Sequence, residues 1–357
     1  MRIALDGMGG DHAPEAIVAG AALAVRRGFA TPGQVLLAGD PDKLIPAIEA
    51  QGCRAALCDR EELPASLPPL DGDAFGVVRA SQTVAMHESA RSSLRQKKDS
   101  SLTVATRLVK EGMADALCSA GNTGASVAAA MLNLKSLEGV HRPGIAVNIE
   151  GEAGPFTILD VGANIFPKPL HLLHYGIMGR CLQQKQFGKE DPTVGLVNIG
   201  GEEGKGTQLA KETQELFRAA PIRFVGNVEG QDVFRGAADV LVTDGFVGNV
   251  ILKLTEGLAT HLLQVIQEEL VEAGVRPEVL EVGLARITQR SDYSEYGGAL
   301  LLGVEGIVTI AHGRSNARAI ANAIRVSGEA VQTAVNQEIV EEIRRLGPTG
   351  RVEGTKP

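Results

Sequence analysis

The sequence predicts an α/β protein built on a parallel, doubly wound sheet. Short apolar runs alternate with helical stretches across short turns, the pattern of repeated βα units. A strand–glycine turn–helix junction recurs at 6–11, 119–124, 160–164, 198–206 and 239–250, suggesting one polar site floored by backbone amides. The composition, with 43 glycines, 3% aromatics and no tryptophan, is that of a soluble α/β enzyme. The 357 residues suffice for one large α/β domain, read as 1–345, with a helical subdomain near 249–290. The Gly-, Pro- and charge-rich tail, 346–357, is expected to be disordered.

A net charge of −8 argues against a nucleic-acid binder. Cys53, Cys58, Cys118 and Cys181 match neither a zinc cluster nor a redox pair and are read as reduced thiols. The first residues enter a strand with no signal peptide, and no apolar run approaches the ~18 residues that span a bilayer. A cytoplasmic protein is expected, with contact to a membrane surface left open.

The elements follow in order. Residues 2–5 form a strand, after which Asp11 is the expected N-cap and Pro14 lies in the first turn of a helix reaching about Arg27. Strands at 34–38 and 55–58 flank a helix at 42–50, and a Pro- and Asp-rich loop occupies 61–75. A basic stretch, Arg91-Ser92-Ser93-Leu94-Arg95-Gln96-Lys97-Lys98, leads into a helix at 101–111; by itself it reads equally as a solvated surface run. A strand at 115–119 ends in Ala120-Gly121-Asn122-Thr123-Gly124 and a small-residue helix at 125–134. Residues 145–149 and 156–159 read as a hairpin turning at 151–154. Lys168-Pro169 opens a helix bearing His171, His174 and Tyr175, and strands follow at 194–199, 222–225 and 240–243.

The long helix after Asn249 carries Leu254, Leu258, Leu262 and Val265 on one stripe, widened by Ala259, Leu263, Ile266 and Leu270. Lys253, Glu256, Thr260, Gln264 and Gln267 mark its polar side. So wide an apolar face needs a partner, and core or subunit packing is preferred to a membrane surface.

Asp6-Gly7-Met8-Gly9-Gly10 lacks the dinucleotide spacing, and Gly204-Lys205-Gly206-Thr207 lacks that of a nucleotide-hydrolysing phosphate loop. Cys118 ends a strand beside a glycine turn, where a buried structural thiol is favoured over a nucleophile. His12, His171, His174 and His312 have no metal spacing and read as surface or hydrogen-bonding histidines. What remains is glycine turns, Asn side chains and one loop lysine, parts that suit phosphate. Bound phosphate can attack a carbonyl without a strong general base if the protein supplies position and oxyanion donors.

The opening Met1-Arg2-Ile3-Ala4-Leu5-Asp6-Gly7-Met8-Gly9-Gly10-Asp11-His12-Ala13-Pro14 resembles that of the acyl-ACP:phosphate acyltransferases of bacterial phospholipid synthesis, the PlsX family. The resemblance continues, in the family's order, at Ser119-Ala120-Gly121-Asn122-Thr123-Gly124-Ala125, Asp160-Val161-Gly162-Ala163-Asn164 and Lys168-Pro169-x-His171-Leu172. It runs on through Gly226-Asn227-Val228-Glu229, Thr243-Asp244-Gly245-Phe246-Val247-Gly248-Asn249-Val250, Tyr293-Ser294-Glu295-Tyr296-Gly297-Gly298-Ala299 and Ala311-His312-Gly313.

The resemblance implies transfer of a fatty acyl group from acyl carrier protein to inorganic phosphate, yielding acyl phosphate. It implies a three-layer α/β/α sandwich similar to isocitrate and isopropylmalate dehydrogenases and to phosphotransacetylases. It further implies a homodimer at the membrane periphery that feeds a membrane glycerol-3-phosphate acyltransferase, with no metal or organic cofactor. By position, Lys205 would neutralise phosphate and Asn249 would position it or stabilise the oxyanion. Asp6, Gly9, Gly10, Asn122, Thr123, Asn164, Asn227 and Asp244 would surround them, unless several of the Asn and Asp residues only cap helices and fix turns. Arg79, Arg91, Arg95, Lys97 and Lys98 would steer the acidic carrier protein. Residues 268–290 carry five glutamates against three arginines, a surplus that anionic lipid repels. Competing readings are a phosphotransacetylase-like enzyme using a coenzyme A thioester and a non-catalytic carrier-protein or membrane-surface scaffold. A decarboxylating dehydrogenase would need an aspartate metal cluster that the sequence does not offer.

Overall fold

A computed structural model of the chain describes residues 1–58, 72–291 and 297–346. The tail beyond 346, most of the 61–75 loop and the Tyr293–Tyr296 part of the family motif lie outside the described residues.

In the first half, β1 (Ile3–Asp6), α1 (Glu15–Arg26), β2 (Val35–Gly39), α2 (Pro41–Ala50), β3 (Arg54–Cys58) and β4 (Ala74–Arg79) precede α3 (Ala90–Gln96), α4 (Ser101–Lys110), β5 (Ala116–Ser119) and α5 (Thr123–Asn133). Next come β6 (Gly144–Gly151), β7 (Gly154–Leu159), α6 (Pro169–Phe187), β8 (Thr193–Val197), α7 (Gln208–Ala219), β9 (Arg223–Val228) and β10 (Val240–Val242). The chain closes with α8 (Gly245–Glu272), α9 (Pro277–Ser291), β11 (Ala299–Leu302), β12 (Ile307–Ile310), α10 (Ala317–Gln332) and α11 (Val335–Leu346).

The strands form one sheet in the order β3-β4-β2-β1-β5-β12-β11-β6-β7-β10-β8-β9. Its first six strands are mutually parallel, as are β7, β10, β8 and β9. Between the two blocks, β12–β11, β11–β6 and β6–β7 all pair antiparallel. Three reversals make the blocks run in opposite directions, so their carboxyl ends leave from opposite edges. Both faces are covered. Ile17, Leu44, Leu173, Phe217, Ile324 and Ile339 build one core, and Leu102, Ala105, Leu108, Ala125 and Ala129 build the other. This is the α/β/α sandwich the resemblance implies.

Two sequence expectations are corrected, and two left open are narrowed. Asp11 does not cap α1: the helix starts at Glu15 with Pro14 before it, and the Asp11 N–H donates to the Gly313 carbonyl at 2.8 Å. Residues 74–75 are not loop but the start of β4, whose Phe75, Val77 and Val78 are fully buried between β3 and β2. The basic run lies largely on a short helix the sequence did not assign, since 90–96 form α3. Of the core or subunit packing expected for the α8 stripe, the core is not what covers it: Leu254, Leu258 and Leu262 are 68%, 52% and 49% exposed, and only Gly245 and Gly248 of the helix are buried.

Candidate active site

Asp160 follows β7 and is fully buried. Its Oδ1 accepts the N–H groups of Ile145 at 2.9 Å, Gly162 at 3.1 Å and Ala163 at 3.0 Å, and its Oδ2 accepts that of Asn164 at 2.7 Å. Burial pushes its pKa up, and these backbone bonds oppose the shift. The carboxylate thereby fixes the 160–164 turn, which in turn fixes α8, because the Gly245 N–H donates to the Asn164 carbonyl at 2.8 Å. A Cβ at 248 would collide with the carbonyl of Asp160, so only glycine lets the helix start lie on this turn. Asp244 caps α8, its Oδ1 accepting the N–H groups of Phe246 and Val247 at 2.9 Å each. Asn164 spends its amide on the Pro143 carbonyl at 2.6 Å and the Tyr175 hydroxyl at 2.7 Å.

Asn249 is different. It is exposed, its amide makes no hydrogen bond among the described residues, and its Oδ1 would lie 3.8 Å from a Cβ built on Gly162. Gly162 has φ 142°, a conformation that leaves this approach open.

The loop after β8 carries Lys205. Asn198 donates to the Lys205 carbonyl at 3.1 Å, Gly201 N–H to Glu229 Oε1 at 3.1 Å, and Asn227 Nδ2 to the Glu202 carbonyl at 2.9 Å. The Lys205 ammonium is half-exposed, with Glu202 Oε1 3.9 Å away. Asn227 thus braces the lysine loop, while its Oδ1 is buried without a partner among the described residues.

The turns after β1 and β5 gather around a second buried carboxylate. Asp6 Oδ2 accepts the Ser119 hydroxyl at 2.8 Å, and Gly121 N–H donates to the same Ser119 oxygen at 3.1 Å. Asp6 Oδ1 is buried and has no hydrogen bond of ordinary geometry among the described residues. Burial pushes the pKa of Asp6 up, against the pull of the Ser101 and Ser119 hydroxyls and the Met8 N–H. A Cβ at 9 would strike this carboxylate, and Gly10, at φ 113°, packs on the carbonyls of Ala120 and Gly313. Asn122 caps α5 through the Ala125 N–H at 2.9 Å and donates to the Met86 carbonyl at 2.7 Å. Thr123, first in α5, is exposed. Burial, then Asp6, pushes the Cys118 thiol up to about 12, which keeps it protonated.

The five glycine turns therefore do not floor one edge of the sheet. Those after β7, β8 and β10 leave one edge, and those after β1 and β5 leave the other. The start of α8 links the two sets. Lys253, one turn beyond Asn249 on the same helix face, sets its Nζ 3.2 Å from His312 Nε2 in the turn after β12. Glu256 Oε2 accepts from the same ammonium at 2.8 Å. His312 Nδ1 accepts the Arg314 N–H at 3.2 Å, and burial followed by Lys253 lowers the imidazole pKa. Sequence reading placed Lys253 and Glu256 merely on a polar helix side and left His312 without a role. The signal was the spacing of Asn249, Lys253 and Glu256 at i, i+4 and i+7.

Of the basic residues, Arg79, Arg95 and Lys98 are exposed. Lys97 is not a free charge: it pairs with Glu88 and donates to the Thr83 carbonyl at 2.7 Å. The Arg91 side chain lies outside the described residues. Among the described residues, no cluster of His, Cys, Asp and Glu could hold a metal ion, and no helix is long and apolar enough to cross a membrane.

This architecture is that of the phosphotransacetylase fold. A phosphotransacetylase from Streptococcus pyogenes superposes with a TM-score of 0.58 at 15% identity, covering 93% of this chain and 94% of that one. A 4-hydroxythreonine-4-phosphate dehydrogenase from Klebsiella pneumoniae gives 0.54 at 13%, covering 93% and 99%. In sequence, residues 1–338 match the model of the fatty acid synthesis protein family. A phosphate acyltransferase from Desulfitobacterium hafniense is 46% identical over 350 residues, 97% of this chain and 98% of that protein. The chain belongs to this family.

Proposed function

We propose that the chain transfers a fatty acyl group from the thioester of acyl carrier protein to inorganic phosphate, giving acyl phosphate for phospholipid synthesis. Its relatives are named for acyl transfer to phosphate, and the choice of donor is our reading. The observation that carries it is the junction at the start of α8, where neighbouring polar side chains are spent on caps and turns and the Asn249 amide is not. Asn249 serves as donor to phosphate or to the oxyanion, and Lys205 brings positive charge from its loop. A phosphate oxygen attacks the thioester carbon, the C–O bond forms and the C–S bond breaks. The sulfur leaves with the electron pair and takes up the proton that the hydrogen phosphate carried. Preorganised donors lower this barrier because charge develops where they already point.

Arg79, Arg95 and Lys98 form the docking charge for the acidic carrier. The exposed stripe of α8 supports a homodimer in the cytoplasm, with peripheral membrane contact limited by the acidic surplus at 268–290. Mass spectrometry of products from carrier-protein and coenzyme A thioesters tests the donor. Acyl phosphate should form chiefly from the carrier thioester, and R95E with K98E should raise the KM for the carrier several-fold at low salt, an effect that added salt erases. Preference for the coenzyme A thioester with an unchanged carrier KM would support the phosphotransacetylase-like reading instead.

A further inference from the structure

We propose that Lys253, His312 and Glu256 form the seat of the phosphate, and that Glu256 makes it selective for phosphate over sulfate. The inference rests on the reading that the start of α8 borders the phosphate site.

The donors come first. His312 Nδ1 accepts the Arg314 N–H, so the hydrogen of the neutral imidazole is on Nε2. That Nε2–H lies 3.2 Å from the Lys253 ammonium, which also only donates. Two donors facing one another have nothing to exchange, and an anionic oxygen beside them satisfies both. Arg314 and Asp11 also lie within electrostatic reach of His312 and are of opposite charge, which leaves Lys253 as the cation with Glu256 as its counterion.

The acceptor is Glu256. Its Oε2 takes the Lys253 ammonium at 2.8 Å, whereas its Oε1 is buried and accepts nothing among the described residues. A buried carboxylate oxygen without a donor is rare, and the O–H of a hydrogen phosphate is a donor that would satisfy it. Donors for oxygens beside an acceptor for a hydrogen match hydrogen phosphate. Sulfate, fully ionised near neutral pH, has no hydrogen to offer, and its oxygen would face the Glu256 carboxylate in repulsion. Lys253 and Asn249 stand one helical turn apart, so one phosphate ion reaches both.

Steady-state kinetics with inorganic phosphate varied against a fixed acyl thioester tests the seat. Lys253→Met should raise the KM for phosphate about 30-fold, the loss of a charge-assisted hydrogen bond, and leave the acyl-donor KM unchanged. Lys253→Arg should restore most of the affinity. Glu256→Gln should turn sulfate from a bystander into an inhibitor competitive with phosphate, a change that general loosening of the helix does not produce. Melting temperatures near wild type show that the variants fold, as the half-exposed Lys253 allows. An unchanged phosphate KM in Lys253→Met, or no sulfate inhibition in Glu256→Gln, overturns the proposal. Asn249→Ala in the same series separates the two levels. If it raises the phosphate KM while Lys253→Met does not, the Lys253 seat alone fails. If neither variant does, the phosphate site lies away from α8.

Discussion

Asp6 and Asp160 each end a strand and are each buried, yet they are satisfied differently. Four backbone N–H groups surround Asp160, whereas on Asp6 the Ser119 hydroxyl holds Oδ2 and Oδ1 has no hydrogen bond of ordinary geometry among the described residues. Burial raises the folded pKa of Asp6 above its ordinary value of 3.8. Folding therefore favours its protonated form: the contribution to stability is complete below 3.8 and is lost as pH rises through the folded pKa. Asp6→Asn should gain stability relative to wild type as pH rises from acid to neutral, measured by urea unfolding at both. A stability difference independent of pH would show that Asp6 is not held near neutrality. At this scale the sequence names the right neighbourhood but not the roles. A cap such as Asp244, a brace such as Asn227 and a free amide such as Asn249 are alike in sequence, because what separates them is which backbone groups come within reach. The orphaned oxygen of Glu256 is likewise a product of packing.

The βα units, the 144–159 hairpin and the glycine junctions were legible because each is written locally, in apolar period and turn residues. β4 was not, since its apolar run Ala74-Phe75-Gly76-Val77-Val78 adjoins a Pro- and Asp-rich stretch that masks its start. β11, β12, α10 and α11 went unassigned. The pairing of Lys97 with Glu88 joins α3 to a preceding loop, and no spacing rule announces it. α8 shows both sides of the matter. Its apolar stripe was visible in the sequence, but a helical wheel does not say whether core, solvent or a partner lies opposite. Leu254, Leu258 and Leu262 are about half-exposed or more, and in the proposed homodimer a second copy covers them. If that homodimer forms, Leu258→Glu with Leu262→Glu should convert it to monomer in sedimentation equilibrium while leaving the fold intact by circular dichroism, because neither residue contributes to the core. A dimer of undiminished affinity would place the interface elsewhere.

The two parallel blocks run in opposite directions, joined by three antiparallel pairings in mid-sheet. Sequence pattern fixes neither strand order nor sense across blocks, which is why five similar turns read as one floor. In the molecule, α8 bridges the two groups by starting on the Asp160 turn and reaching His312 with its third turn. The central claim is that this helix start handles phosphate, and the most direct measurement is acyl phosphate formed from carrier thioester and phosphate by wild type, Asn249→Ala and Lys205→Ala. Losing a preorganised donor predicts a fall in kcat of about 100-fold or more for Asn249→Ala, with a smaller loss for the half-exposed Lys205. Full activity in Asn249→Ala, with the protein folded, would contradict the account.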